Sequence, residues 1–183
     1  MTDLSLYILD ITMNSVRAGA KNISVILEEV ENVLTVSITD NGCGMTSEQV
    51  EKLSNPFFTT RTTRKVGLGI PFLRMLAEQT GGRVEIVSKS EKEYDDHGTV
   101  VKAVFHSDHI DFVPLGDLTE TMITLIQGSP DIDFVYRHTS DKGISVSMDT
   151  AEMRAVLGDD IPLNSFEVLG FIRGFLEDQY AQK

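Results

Sequence analysis

Asp10 and Asn14 lie four residues apart, and Arg17 follows three further on. On a helix that spacing puts a carboxylate, an amide oxygen and a guanidinium on one face. Such a set suits a magnesium–nucleotide, because Mg²⁺ takes oxygen ligands and shares them with phosphates. The polar outer face of an ordinary amphipathic helix gives the same pattern. A second group, Asp40-Asn41-Gly42-Cys43-Gly44-Met45, follows an apolar alternating run. Its glycines permit a tight turn that brings a ligand against the backbone, while the carboxylate accepts a hydrogen bond. Asp-Asn-Gly is also a common plain turn. A third group, Gly67-Leu68-Gly69-Ile70, opens a helical segment just after Arg61, Arg64 and Lys65. Amide donors at a helix N-terminus, with cations beside them, are suited to holding phosphates. A solvated basic loop accounts for the cluster equally well. Neither Gly-x-x-x-x-Gly-Lys-Ser/Thr nor a strand followed by Gly-x-Gly-x-x-Gly occurs.

The elements that must position these residues are legible from periodicity. Residues 4–17 carry Leu6, Leu9, Met13 and Val16 at helical spacing, and Gly19 suits the end of that helix. The spacing predicts that this apolar stripe is the buried one, away from Asp10 and Asn14. Ile23, Val25 and Leu27 alternate as a strand, residues 33–38 read as a second, and residues 28–32 supply the turn. A short helix is expected at 47–53, a longer one at 69–80, and strands at 83–88 and 99–105. The order predicts an α+β sandwich, one mixed sheet with helices on a single face. Beyond residue 105 a crossover leads to expected helices at 118–126, 150–157 and 165–179, with a hairpin of residues 132–138 and 144–148. The expected division is a nucleotide-binding unit at 1–106 and a small α+β appendage at 107–183.

Composition narrows the class. At about 150 residues per domain, 183 residues make one domain or one with an appendage. No apolar run approaches the roughly 18 residues of a membrane span, and no signal segment opens the chain. A single cysteine, Cys43, excludes an internal disulfide framework, and a cytoplasmic location is the expectation. Net charge is −12, of which residues 1–105 (11 basic, 14 acidic) carry −3 and residues 106–183 (5 basic, 14 acidic) carry −9. Such a surface repels phosphate backbones, so nucleic acid and anionic membrane are poor partners. His97, His106, His109 and His138 fall in expected loops or a strand. A His106/His109 metal pair lacks carboxylates at ligand spacing, so surface roles are favoured.

In order and spacing, residues 6–20, 40–45, 55–60, 67–70 and 98–99 resemble the N, G1, F and G2 boxes and the terminal Gly-Thr of the GHKL family. Sensor histidine kinases, gyrase-type topoisomerases, heat-shock chaperones and mismatch-repair ATPases belong to it. The resemblance covers residues 4–105 and implies the Bergerat ATP-binding fold, a two-layer α/β sandwich. It also implies ATP and Mg²⁺ as cofactors, with Asn14 the metal ligand, Asp40 the acceptor of the adenine amino group, and Thr99 its direct or water-mediated support. Gly42 and Gly44 would shape the adenine pocket, with Met45 beside them. Gly67, Leu68, Gly69 and Ile70 would cradle phosphates, joined by Arg17, Thr59, Thr60, Arg61 and Lys65. Phe57 and Phe58 resemble the ring pair that anchors an ATP lid at residues 55–66. The run Pro56-Phe57-Phe58-Thr59-Thr60-Arg61 is similar to the histidine-kinase version.

Asp10 stands where ATPases of this superfamily carry a Glu acting as general base, and it is one methylene shorter. It is the candidate catalytic residue, through a water or through the metal's hydration shell. Only nine residues precede Asp10, so the helical hairpin bearing the phosphorylated His of sensor kinases is not expected. Three functions therefore stay open. One is a stand-alone Mg-dependent ATP-binding protein that regulates a partner through its C-terminal part. The second is a nucleotide-sensing interaction module without chemistry, and the third a kinase acting on a Ser or His of its partner.

Overall fold

Alternation of Ile23, Val25 and Leu27 against Leu34, Val36 and Ile38 builds the centre of the sheet, and all six side chains are buried. They lie on β1 (Asn22–Val30) and β2 (Val33–Asp40), an antiparallel pair. Both strands run longer than expected, because only Glu31 and Asn32 turn the chain. Both have positive φ, 51° and 63°, the geometry of the two-residue hairpin turn that matches strand twist. Residues 3–54, 69–158 and 160–182 are described by this computed structural model.

The helix α1 (Leu4–Arg17) begins with Asp3 as its N-cap. Its buried seam is Leu4, Ile8 and Ile11 with Ser5, Thr12 and Ser15. This corrects the expected stripe: Leu6 is 52% exposed, while Leu9, Met13 and Val16 pack only partly against the core. Small hydroxyl residues displaced the larger apolar ones because each finds an internal partner. Thr12 Oγ1, for example, donates to the carbonyl of Ile8 at 2.7 Å.

The chain continues through α2 (Ser47–Ser54), α3 (Gly69–Gln79), β3 (Arg83–Lys89) and β4 (Gly98–His106). There follow α4 (Leu118–Gly128), β5 (Asp133–Ser140), β6 (Ser145–Asp149), α5 (Thr150–Leu157) and α6 (Phe166–Ala181). The six strands form one sheet in the order β3-β4-β2-β1-β5-β6. Only β1 and β5 pair in parallel. The mixed sheet with a helical layer is thus the expected two-layer sandwich, with α1 against β1 and β2, α3 against β3 and β4, and α4 packed between α1 and α6.

An expected boundary at 106/107 is crossed by the sheet itself. Ile23 stands beside Phe134 and Val25 beside Tyr136, so residues after 107 extend the same buried face. Crossing contacts reinforce the continuity. Asp133 N–H donates to Lys21 O at 2.9 Å, and Glu31 N–H donates to Asp141 Oδ2 at 2.7 Å. On the inner face of β5, the Tyr180 hydroxyl of α6 lies 2.5 Å from that of Tyr136 and 2.8 Å from His138 Nδ1. Burial pushes the Tyr180 phenol up to about 12, so this link between helix and sheet stays neutral. His138, expected in the hairpin as an unremarkable strand residue, is a core histidine at 1% exposure.

Among the described residues one sheet and one apolar core run through both parts of the chain, the arrangement expected to unfold as one unit. Phe134→Ala, in a fully buried β5 position, should therefore cost about 3–5 kcal/mol. Urea unfolding followed by tyrosine fluorescence and by far-ultraviolet dichroism should show one coincident, shifted transition rather than separate loss of the C-terminal part.

Candidate functional site

Asp40 closes β2 and is only 9% exposed. A carboxylate at that depth has to be hydrogen-bonded. Its Oδ2 accepts the Ser15 hydroxyl at 2.6 Å, and its Oδ1 accepts the Gly42 amide at 2.8 Å. Two carboxylate oxygens offer about four acceptor sites, so capacity remains for one more donor such as an exocyclic amine. Ser15 was missed in the sequence reading. One residue past Asn14, it falls on the buried side of α1, and nothing local in the sequence marks its partner.

Thr99 pairs with Asp40 in the β2–β4 register, yet its hydroxyl lies 2.8 Å from Ser88 Oγ. The direct side-chain contact to Asp40 comes from Ser15, with Thr99 beside it in the strand register. Ser88 Oγ also accepts the Met45 amide at 2.8 Å, so Met45 is held through its backbone.

The loop after Asp40 is fastened at several points. Asn41 Oδ1 accepts the amides of Lys21 and Asn22 at 2.8 and 2.9 Å. Cys43 N–H donates to Ala18 O, and Cys43 O accepts from Glu91 N–H, both at 2.9 Å. Gly44 has φ +63°, and a Cβ there would lie 1.8 Å from Lys89 O. Gly98 has φ +145°, and its Cβ would lie 2.1 Å from Asp40 O. Only glycine fits either place, which is how the backbone can pack so closely beside Asp40. His97, expected as a surface residue, holds this loop as well, with Nδ1 at 2.5 Å from Gly42 O. The carbonyl requires the tautomer protonated on Nδ1.

The other end of the site is built where α1 meets α3. A Cβ at Gly69 would lie 2.3 Å from Asp10 Oδ2. The first residue of α3 is therefore in contact with the Asp10 carboxylate, and only a hydrogen fits between them. Asn14 stands one turn further along α1, half-buried, and its Oδ1 accepts from Arg17 Nη1 at 3.0 Å. Ile70 buries its side chain in the core at 7% exposure, leaving its backbone for any ligand. Phe57, Phe58, Thr59, Thr60, Arg61, Arg64, Lys65, Gly67 and Leu68 lie outside the described residues. Of the predicted set, the structure thus brings Asp10 against Gly69, pairs Asn14 with Arg17 further along α1, and groups Asp40, Gly42, Gly44, Met45 and Thr99 around the end of β2.

His106 and His109 are both exposed, and His109 Nδ1 accepts the Asp111 amide at 3.2 Å. Among the described residues no group of three or more His, Cys, Asp or Glu could hold a metal ion, and no helix is long and apolar enough to cross a membrane.

The Ser15–Asp40 bond is testable without any ligand. Ser15→Ala should lower stability by about 1–3 kcal/mol, the cost of removing a donor from a buried charged acceptor. Chemical denaturation of the purified variant reads this directly.

Comparison with known proteins shows the family and the fold. Residues 2–109, more than half of the chain, match the family model described as histidine kinase-, DNA gyrase B-, and HSP90-like ATPase. The sensor histidine kinase ZraS of Escherichia coli (strain K12) is 30% identical over 91 residues, 49% of this chain and 19% of that protein. Sporulation kinase B of Bacillus subtilis is 29% identical over 94 residues, 50% of this chain and 22% of that protein. The chain thus spans about a fifth of the length of such relatives. Among solved structures, the MutL ATPase domain of Aquifex aeolicus complexed with ADP superposes with a TM-score of 0.53 at 13% identity, over 93% of this chain and 86% of that one. That coverage extends the fold likeness past residue 109. The chain belongs to the histidine kinase-, DNA gyrase B- and HSP90-like ATPase family, a membership carried by residues 2–109 that supports ATP binding.

Proposed function

We propose that the protein is a Mg-dependent, cytoplasmic ATP-binding protein that regulates a partner by ATP binding, hydrolysis or phosphoryl transfer. The observation that carries this reading is the placement of both ends of the site on one helix. Ser15 fixes the Asp40 carboxylate at one end, and Asp10 meets the start of α3 at the other. Five residues of helix, about 7.5 Å, separate them. Asp40 is suited to accept the adenine amino group, and the Gly42 and Gly44 backbone to flank the ring. The N-terminus of α3, with Gly69 leaving its approach open, is suited to the phosphates.

The donor set on α1 fits a magnesium ion. Asn14 Oδ1 is the hard neutral oxygen that would hold it, and Asp10 stands one turn away to orient its water shell. When bound, the ion neutralises phosphate charge and favours the leaving of ADP. Arg17 already donates to Asn14 Oδ1, so a metal held there would stand beside the guanidinium and repel it. Released from it, Arg17 can reach a phosphate. Asp10, beside the start of α3, is placed to take a proton from a water attacking the terminal phosphate. The second reading, a sensing module without turnover, keeps every contact except this last role.

Incubation with γ-labelled ATP and Mg²⁺, alone and with co-purifying proteins, separates these readings. Free labelled phosphate indicates hydrolysis, a labelled protein indicates transfer, and neither indicates sensing. Asp40→Asn should abolish ATP and ADP binding, because the amide can present a donor to the adenine amino group. Calorimetry within about threefold of wild type, under about 0.7 kcal/mol, would remove Asp40 from the adenine site. Asp10→Asn should keep ATP affinity and lose turnover by about 10²–10⁴-fold, the share of a general base. Affinity and turnover lost together would instead make Asp10 an organiser of the metal shell.

A further inference from the structure

The C-terminal elements leave an apolar surface that the ATP site does not use. Between α5 and the first half of α6, over β6, lies an open groove of about 1040 Å³. Its walls are Met153, Val156, Ile161, Val168, Phe171 and Phe175. Several are strongly exposed: Val156 at 87%, Phe171 at 65% and Ile161 at 44%. Phe171 and Phe175 are one turn apart and stacked, with ring centroids 6.1 Å apart. Exposed aromatic and aliphatic side chains gathered round one concavity are the signature of a contact surface.

Charge identifies the occupant. Asp149, Glu152, Asp160 and Glu167 edge the groove, against Arg137 alone among basic residues, for a net charge of −3. A second copy of this acidic chain would bring like charges together, and an anionic membrane would be repelled. The volume lies at the upper limit of small-ligand pockets, and the groove is partly open to solvent, room enough for side chains of a polypeptide segment. Backbone accessibility narrows the form of that segment. Strand addition at the β6 edge is closed at Ser147, whose amide donates to Gln179 Oε1 at 2.9 Å and whose carbonyl accepts from Gln179 Nε2 at 3.1 Å. An occupant must bind through side chains laid into the groove.

We propose that this groove docks an amphipathic helix of a partner protein, its apolar face against Val156 and Phe171 and its flanks lysine- or arginine-rich. The proposal names the partner class for the regulatory role above and rests on that role, not on the nucleotide chemistry.

The test uses the full chain and two fluorescent 20-residue peptides with leucines at i, i+3, i+4 and i+7. The remaining positions are mainly Lys in one peptide and mainly Glu in the other. The Lys peptide should bind saturably by anisotropy, and the Glu peptide at least about tenfold more weakly. Val156→Ser and Phe171→Ser, both at exposed positions, should each weaken the Lys peptide by about tenfold or more and leave the thermal transition in place. Equal affinity of the two peptides, or unchanged binding by both variants, overturns the proposal. So does a wild-type dimer in sedimentation that Phe171→Ser dissolves, since the occupant is then a second copy. ATP titration of the same samples tests the nucleotide reading separately, because the groove and the ATP site share no residue.

Discussion

The buried Asp40 carboxylate is the constraint around which the ATP-binding half is arranged. A charged group at the end of a central strand cannot stay there unless its oxygens are bonded. Ser15 and Gly42 supply those bonds, and each imposes its own geometry. To deliver Ser15, α1 must cross the sheet with its small hydroxyl residues inward, which turns Asp10 and Asn14 outward. To deliver its amide, Gly42 must begin a loop that folds back on the strand it has just left. That return is possible only because the loop packs directly on backbone at Lys89 and at Gly98. The acceptor that would select a purine amine and the helix that would carry the metal ligand therefore come from one folding decision.

This arrangement explains which parts of the site were legible in the sequence. Asp10, Asn14 and Arg17 show a helical spacing, and Asp40 with its glycines follows an alternating run, so both ends of the site could be read locally. Ser15 could not, because a serine beside an asparagine carries no sign of a partner 25 residues away. His97 was hidden for the same reason, its acceptor Gly42 lying 55 residues earlier. The apolar stripe of α1 misled because hydrophobicity alone ranks Leu6 above Thr12. The fold favours Thr12, whose hydroxyl satisfies itself within its own helix, while Leu6 stays half in water.

The strand order was the least legible feature. Local patterning finds the β5–β6 hairpin easily, since the two strands are neighbours in sequence. It contains nothing that assigns β5 to the free edge of β1, more than 100 residues upstream, in a parallel pairing. The parallel partner is chosen by what the edge of β1 leaves open: Ile23, Val25 and Leu27 need cover on the far side, and Phe134, Tyr136 and His138 continue their face in register. A segment that reads as an acidic attachment thereby completes the core.

The same topology places the two surfaces of the molecule in mechanical contact. The helix α4 packs against α1, which carries Asp10 and Asn14, and against α6, which carries Phe171 and Phe175. The β1–β2 turn and the β5–β6 turn are joined by Asp141, which accepts from Glu31 and donates to the Glu29 carbonyl. Contact of this kind transmits a state only where some element has two arrangements. If a metal took Asn14 Oδ1, its charge would repel the Arg17 guanidinium now bonded there, which would give that pair a second arrangement. A shift there would move the last turn of α1, where Ala18 also holds Cys43 of the loop after Asp40. Coupling from nucleotide to groove would then run along α1 and through α4, without requiring the sheet to change its register.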